Sequence, residues 1–384
     1  MTKREMEEEE SSAPPSAASP FDLGRFTKQA ARQSDTNLEV LREDETNPKY
    51  GSKPEERPIA EYLRNGFIVL DKPQGPTSHE VVAWVRKMLG QERAGHSGTL
   101  DPMVSGILPI GLGHATKGLS VLLLGPKEYI CVARIHDSIP KELLHSAIRQ
   151  FTGPIYQKPP QRSSVRRVTR TRTIYELEIL EQIGNLLLLR ILCEAGTYIR
   201  KLVYDLGEII SVGATMAELR RTRVCQLDES DLVRLHDLHE ANEILKESQN
   251  EEKLRELVIP IESAVSFLRQ VRIRDSAVES ICQGAQLAIP GILSFSGGMQ
   301  KGEIVRIVTA KGELVAIAET QLCEKQIKLQ EHGIVAITKR VIMSTGTYPK
   351  MWKSKREEVG TEEISEKLLR QSILDSLDKD AENI

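Results

Sequence analysis

A glycine-rich stretch at residues 95–102 (GHSGTLDP) presents one carboxylate, Asp101, directly before a proline. Glycine allows tight turns, and Asp and Pro both favour turn positions. A loop of this composition can be preformed and can project a single carboxylate rigidly into a cleft, where it can act as a catalytic group. The alternative is that Asp101 only caps a turn, because Asp is common in glycine-rich turns.

Arginines form two clusters that could neutralise phosphates. The first contains Arg162, Arg166, Arg167, Arg170 and Arg172, with no acid among residues 162–172, and the second contains Arg220, Arg221 and Arg223. The formal net charge of the chain is −3, but residues 61–345 carry +3 because both ends of the chain are acidic. A solvated charged face is the alternative for either cluster.

Several classes of protein are disfavoured by what the sequence lacks. It has no apolar run of transmembrane length, and its first residues (MTKREMEEEE) do not resemble a signal peptide. The 5 cysteines are scattered without a C-x-x-C pair, which argues against a zinc site or a disulfide framework and fits a reducing cytosol. Phosphate-binding loops and metal-ligand clusters are also missing. The sequence therefore predicts a cytoplasmic protein without a metal, a cofactor or a membrane anchor.

Strand and helix patterns alternate from Gly66 onward. The predicted strands are 66–71, 127–135, 173–180 and 186–194, the last two joined by a turn at Gly184-Asn185. The predicted helices begin after a capping box formed by Thr77 and Glu80, cover 141–151, begin again near Ile199, and include a short helix from Met216 to about Arg221. These elements predict a mixed α/β domain.

The composition divides the chain into segments. Residues 1–50 are rich in Glu, Ser and Pro and are expected to be a disordered extension. A catalytic domain is expected at 51–255. Short strands spaced by about ten residues follow at 260–345 and predict a small barrel or sandwich. A charged tail is expected at 346–384, with an amphipathic helix at 364–377.

Five segments in family order resemble the TruB/dyskerin group of RNA pseudouridine synthases. They are LDKPQGPTSHEVVAWVRK (70–87), GHSGTLDPMVSG (95–106), KEYICVARI (127–135), CEAGTYIRKL (193–202) and GATMAELRRTR (213–223). The β-rich segment after them resembles a PUA domain, and KPEERPIAEYL (53–63) favours the archaeal dyskerin branch over bacterial TruB. The resemblance covers residues 57–345.

The resemblance implies roles for particular residues. Asp101 would be the catalytic carboxylate, acting while uracil is detached from ribose, turned and rejoined through carbon; whether it attacks the sugar, attacks the base or abstracts a proton stays open. The implied substrate-binding residues are Arg200, which would pair with Asp101 and keep it ionised; Tyr129, which would stack on the flipped uracil; Tyr198 and Leu219, which would line the pocket; His96, which would hold the flipped nucleotide; and Lys72, which would support the pocket.

The implied fold is an α/β (α+β) catalytic domain on a largely antiparallel sheet, followed by a PUA β-barrel. The implied partners are tRNA, rRNA or an H/ACA guide RNA, with small H/ACA proteins. Two positions depart from the family pattern, Met103 in place of Lys and Thr215 in place of His. Two other interpretations are a non-catalytic RNA-binding scaffold and a subunit that mainly holds partner proteins.

Overall fold

The computed structural model describes residues 37–159 and 168–351, which fall into two compact units. The first unit contains Leu63–Leu268, and the second is built from the described residues up to Tyr62 and from Arg269 onward. Among the described residues, no helix has the length and apolar character needed to cross a membrane. The 364–377 helix and three of the predicted phosphate-binding arginines (162, 166 and 167) lie outside the described residues.

Strands dominate both units. In chain order they are β1 (Leu38–Val40), β2 (Gly66–Lys72), β3 (Ala94–His96), β4 (Ser105–Leu112), β5 (Lys127–Ile135), β6 (Gly153–Gln157), β7 (Arg170–Ile183), β8 (Leu186–Cys193), β9 (Ala214–Val224), β10 (Leu227–Asp228), β11 (Ile259–Pro260), β12 (Gln270–Ile273), β13 (Leu287–Ala288), β14 (Ile292–Ser296), β15 (Ile304–Thr309), β16 (Leu314–Thr320) and β17 (Ile334–Val341).

The α-helices are shorter and lie between the strands. They are α1 (Ile59–Arg64), α2 (Ser78–Met88), α3 (Leu119–Leu124), α4 (Lys141–Phe151), α5 (Ile199–Ile209), α6 (Leu235–Ser248), α7 (Glu252–Leu257), α8 (Ile261–Ala264), α9 (Asp275–Cys282) and α10 (Glu324–Leu329). Thr77 and Glu80 form the predicted capping box of α2: the Thr77 side chain accepts from the Glu80 backbone N–H, and the Glu80 carboxylate accepts from the Thr77 backbone N–H.

One large sheet organises the first unit. Its strand order is β11-β2-β4-β9-β5-β8-β7-β6, with β3 paired to β4 and β10 paired to β9. All of its strand pairs are antiparallel except β4 with β9. A core cluster joins apolar residues of β5, β8 and β9 to those of helices α4 and α5. The predicted α/β domain on a largely antiparallel sheet is confirmed.

The second unit is a seven-stranded sheet in the order β1-β14-β12-β15-β16-β17-β13. Its core centres on residues that are essentially inaccessible to solvent, such as Val271, Phe295 and Ile307. The strands predicted for residues beyond 260 are therefore present. The second unit also contains β1, which precedes the first unit in the chain.

Two expectations about domain boundaries differ from the structure. Leu38–Val40 is a strand paired to β14, so the part of the 1–50 segment that the structure describes is folded against the second unit. Tyr348 is only 1% exposed, so the second unit extends past residue 345. Both segments, 38–50 and 346–351, look polar in sequence. Their few apolar side chains nevertheless pack onto a core formed by distant residues, which composition cannot show.

The predicted helix at residues 216–221 is wrong, because this segment lies within strand β9. Strand β9 pairs with β5 along its whole length and with the first residues of β4 through Arg220 and Arg221. Two register shifts occur along the β5–β9 pair. Each shift inserts an extra residue and breaks the simple alternation of apolar and polar positions that identifies a strand in sequence.

Candidate active site

Asp101 lies on the loop that joins β3 to β4, and backbone hydrogen bonds fix this loop on both sides of it. The Ser78 hydroxyl donates to the Leu100 carbonyl at 3.0 Å and accepts from the Leu100 N–H at 2.9 Å. The Gly75 N–H donates to the Pro102 carbonyl at 2.9 Å, and the Val104 N–H donates to the Asp101 carbonyl at 3.0 Å. The loop is therefore preformed, as the glycine-rich sequence predicts.

Lys72 supports the same loop from the interior. Its ammonium group donates to the carbonyl oxygens of Pro73 at 2.8 Å, Pro102 at 3.2 Å and Val104 at 2.9 Å. The Lys72 side chain is fully buried, and this burial lowers the pKa of its ammonium group while the nearby Asp101 carboxylate opposes the shift. This placement fits the supporting role implied by the family resemblance.

The Asp101 carboxylate forms an ion pair with the guanidinium of Arg200, which follows the N-terminal residue of helix α5. The two side chains are 55% and 57% exposed, so solvent and a substrate can reach both of them. The pairing anticipated from the sequence resemblance is present, and it joins the β3–β4 loop to helix α5.

Tyr198 is the residue before helix α5, and its backbone is held by Gln157, which sequence analysis did not identify. The Gln157 side chain accepts from the Tyr198 N–H at 2.9 Å and donates to the Tyr198 carbonyl at 3.2 Å. Gln157 ends strand β6 and is almost completely buried. This reciprocal pair fixes the backbone next to Arg200, and only the fold brings Gln157 to it.

Tyr129 and Leu219 lie on the adjacent strands β5 and β9 of the same sheet. Leu219 is 8% exposed and belongs to the apolar core cluster, against which the half-buried Tyr129 packs. Burial raises the pKa of the Tyr129 hydroxyl, and the guanidinium of Arg221 opposes that rise. Core packing is what the structure shows for Leu219, and its contact with a substrate stays a prediction.

His96 ends strand β3 and makes an edge-to-face contact with His79, with ring centroids 5.1 Å apart. Burial, reinforced by the neighbouring His79 and Arg221, lowers the pKa of His96 to about 4. Its imidazole is therefore neutral at physiological pH. Its Nδ1 atom is buried and has no hydrogen-bond partner within the described part of the chain.

The arginine cluster at residues 220–223 is engaged within the protein, and a role in gripping RNA stays a prediction for Arg220 and Arg223, whose side chains are 35% and 31% exposed. Arg220 pairs with Asp71 at 2.9 Å and with Glu229 at 2.7 Å, and Arg223 pairs with Glu128 at 2.6 Å. Arg221 is 1% exposed and cannot reach a phosphate. Sequence could not reveal this, because the strand geometry decides which side chains point inward.

In the described part of the other arginine cluster, one arginine is exposed and one forms an ion pair within the protein. Arg170 is exposed at the start of β7, whereas Arg172 pairs with Glu194 at 3.2 Å.

Of the two departures from the family pattern, Met103 is 66% exposed, and the Thr215 hydroxyl shares a hydrogen bond of 2.8 Å with the His136 ring. Among the described residues, neither side chain forms a hydrogen bond with Asp101 or Arg200.

Four family models match the chain in sequence order. They are the DKCLD (NUC011) domain at residues 31–82, the N-terminal domain of the TruB family pseudouridylate synthases at 86–143, the C-terminal domain of tRNA pseudouridylate synthase B at 200–266, and the PUA domain at 269–342. The first and last of these together account for most of the second unit.

Similar proteins occur in several archaea. The chain is 49% identical over 310 residues to a probable tRNA pseudouridine synthase B of Methanosarcina barkeri, covering 81% of this chain and 92% of that protein. It is 49% identical over 318 residues to a protein of the same name from Methanopyrus kandleri, covering 83% and 94%.

Two solved structures share the fold along most of the chain. One, of an H/ACA ribonucleoprotein bound to a substrate RNA containing 2'-deoxyuridine, matches with a TM-score of 0.75 at 42% identity, covering 82% of this chain and 97% of that one. The other, of a Cbf5-Nop10-Gar1 complex, matches with a TM-score of 0.75 at 44% identity, covering 82% and 96%. The chain therefore belongs to the TruB/dyskerin family of pseudouridine synthases.

Proposed function

We propose that this pseudouridine synthase acts on uridine in structured RNA and uses Asp101 as its catalytic carboxylate. The observation that carries the proposal is the solvent-accessible ion pair between Asp101 and Arg200, set on a loop whose backbone is fixed by Lys72 and Ser78. A charged group that is already oriented needs no costly reorganisation when charge develops on the substrate.

The reaction is an isomerisation, so its atoms balance without a co-reactant. The bond between N1 of uracil and C1' of ribose breaks, the base turns, and a bond forms between C5 and C1'. The hydrogen on C5 leaves to solvent, and N1 takes up a proton. A carboxylate suits this chemistry because it can stabilise or trap an electron-poor sugar carbon, as in glycoside hydrolysis.

The target base must leave its stack before it can be turned, which costs a few kcal/mol. Tyr129 lies on β5, which pairs with β9 in the same sheet, and is assigned the role of stacking on the extruded uracil. The neutral ring of His96 is assigned to holding the nucleotide out of the stack, since a neutral imidazole can enter an apolar gap at less desolvation cost than a charged one. Tyr198 and Leu219 complete the pocket in this proposal.

The RNA substrates proposed are the T-loop uridine of tRNA and sites in rRNA selected by a guide RNA. The names of the archaeal relatives support the first, since they are called tRNA pseudouridine synthases. The second is supported by two of the matching structures, which contain a substrate RNA in one case and the proteins Nop10 and Gar1 in the other. Small H/ACA proteins are therefore proposed as partners, and the PUA domain as a second RNA contact.

The test is release of tritium from RNA whose uridines carry the label at C5. The purified chain is compared with its Asp101→Ala variant and with Asp137→Ala, a matched control at an exposed carboxylate on the β5–α4 loop. Each protein is assayed on a tRNA transcript alone and on an rRNA fragment with guide RNA and partner proteins. We expect release by the parent and by Asp137→Ala, and none by Asp101→Ala.

The outcomes separate the remaining possibilities. Release from tRNA alone identifies an enzyme that needs no guide, and release only with guide and partners identifies a guide-directed one. Equal release by the parent and Asp101→Ala contradicts the role of Asp101. No release under either condition, with RNA binding retained, favours the non-catalytic scaffold.

A cytoplasmic location is proposed on the state of the cysteines. All five are free, and four of them are buried, which fits a reducing compartment. Immunofluorescence or fractionation of cells that express the chain checks this directly, and recovery with a membrane or secreted fraction contradicts it.

A further inference from the structure

Arg221 is the largest of the side chains that are almost fully withdrawn from solvent. Its Nε atom donates to the Ile107 carbonyl at 2.8 Å, and its Nη2 atom donates to the Gly98 carbonyl at 2.9 Å. Ile107 belongs to β4, and Gly98 lies at the start of the loop that carries Asp101. The Arg221 guanidinium therefore bridges strand β4 and the start of the β3–β4 loop.

The backbone of Arg221 is equally constrained. It pairs across the sheet with Gly106 of β4 on one side and with Tyr129 of β5 on the other. Gly106 has a φ of +99°, and a Cβ there would collide with the Arg221 carbonyl oxygen. The close approach of these strands requires a residue without a side chain opposite Arg221.

Arg221 lies opposite Tyr129 in the pairing of β9 with β5. Burial raises the pKa of the Tyr129 hydroxyl, and the positive charge of Arg221 opposes that rise. The two carbonyl acceptors, those of Gly98 and Ile107, suit the planar fork of arginine, whereas a lysine presents a point charge and lacks this fork.

We propose that Arg221 is a positioning residue of the active site, whose buried guanidinium holds the start of the Asp101 loop against strand β4. This inference rests on the proposed function of Asp101. It gives Arg221 no contact with the substrate. It also differs from a phosphate-binding role, because a side chain buried in this way has no access to RNA.

Arg221→Lys tests the proposal because it keeps the positive charge and removes the fork. The matched control is Arg190→Lys, which alters a surface arginine that pairs with Glu176 and Glu178 on the same sheet. Both are compared with the parent in the tritium-release assay on the full chain, in RNA binding, and in hydrogen–deuterium exchange of peptides that cover residues 97–104.

We expect Arg221→Lys to lower kcat by about 10²-fold, as small misplacements of reacting groups do, with KM within about threefold of the parent. RNA affinity and its salt dependence are expected to be unchanged, since no phosphate contact is lost. Exchange is expected to accelerate in the 97–104 peptides and not elsewhere in residues 63–268. Arg190→Lys is expected to match the parent in every measurement.

Three results would overturn the inference. One is weaker RNA binding with a smaller salt dependence, which would mean that Arg221 contacts phosphate. Another is faster exchange throughout residues 63–268, which would mean a purely structural role. The third is unchanged kcat and unchanged exchange. If the parent itself releases no tritium, the proposed function fails, and the confinement of faster exchange to residues 97–104 still decides whether Arg221 positions the loop.

Discussion

Asp101 and Arg200 form an ion pair that is more than half exposed, and such pairs add little to stability. The value of this pair is geometric, because a guanidinium fork and a carboxylate orient each other through directional hydrogen bonds. The contrast with the buried Lys72 and Arg221 is informative. The proposed catalytic residue, Asp101, is accessible, while Lys72 and Arg221, which hold its loop, are buried.

Replacing Arg200 by Lys should therefore impair catalysis without destabilising the fold. We expect kcat to fall by about 10²-fold because the Asp101 carboxylate loses its orienting partner. Thermal unfolding should stay within about 2 °C of the parent, since an exposed pair contributes less than about 1 kcal/mol. The control is Arg134→Lys at an exposed position of β5. Full activity in Arg200→Lys would contradict the orienting role.

His96 predicts a pH dependence of stability. Its pKa is about 4 in the folded state and should return to its ordinary value near 6.5 on unfolding. Between these values the unfolded chain binds the extra proton, so this contribution to stability is complete above pH 6.5 and is lost as the pH falls towards 4.

Urea denaturation between pH 4 and 7 checks this dependence. The parent should lose more stability over that range than His96→Gln, which has no group to protonate. The histidine resonance that disappears in His96→Gln should titrate near pH 4 by NMR. A resonance that titrates near 6.5 would contradict the burial of this ring.

At the scale of elements, the β3–β4 loop depends on helix α2. Ser78, in the first turn of that helix, is completely buried and makes both hydrogen bonds to the backbone of Leu100. Helix α2, which begins at the Thr77–Glu80 capping box, therefore fixes the position of the β3–β4 loop. A helix that short-range capping signals start therefore holds the loop of Asp101, the proposed catalytic residue, through the Ser78 side chain.

Ser78→Ala should leave the Leu100 N–H and carbonyl without partners. We expect a loss of about 2 kcal/mol in the free energy of unfolding, because each buried unsatisfied group costs about 1–3 kcal/mol and part is recovered by relaxation. The control is Ser120→Ala on α3, where the hydroxyl is exposed and the change should be below about 0.5 kcal/mol. Urea denaturation measures both. Equal stability of the two variants would show that the loop does not depend on Ser78.

At the scale of the molecule, the second unit is assembled from segments that are far apart in sequence. The buried carboxylate of Glu313 accepts from the Ser52 N–H at 3.1 Å, from the Thr309 hydroxyl at 3.0 Å and from the Tyr348 hydroxyl at 2.7 Å. Lys311 donates to the backbone carbonyls of residues 47, 50 and 51. The unit therefore needs chain from both before and after the segment that resembles a PUA domain.

Removing one of these donors should weaken the second unit. Tyr348→Phe takes away one hydrogen bond to a buried carboxylate and should cost about 2 kcal/mol of unfolding free energy. Tyr156→Phe is the control, because Tyr156 is 79% exposed and its hydroxyl loss should be nearly neutral. Calorimetry of the full chain should show a lower transition temperature for Tyr348→Phe alone. Identical transitions in the two variants would contradict the coupling of residues 52, 313 and 348.

The sequence alone predicted the features that depend on local pattern and on the order of motifs. Strand β5, helices α2, α4 and α5, and the β7–β8 pair follow from periodicity, capping and turn residues, which act over a few positions. The choice of Asp101 as the candidate carboxylate and its pairing with Arg200 followed from the resemblance of several motifs; the structure contains the pair, and the relatives confirm the family.

Only the tertiary structure decided which charged residues are buried and which distant segments meet. Strand β9 was mistaken for a helix because bulges hide its alternation, and Arg221 was mistaken for a surface cation because its inward direction depends on pairing with β4 and β5. Gln157 reaches Tyr198, and residues 37–52 join the second unit, through contacts between positions far apart in the chain. Such contacts depend on how strands pair in space, and no short window of sequence contains that information.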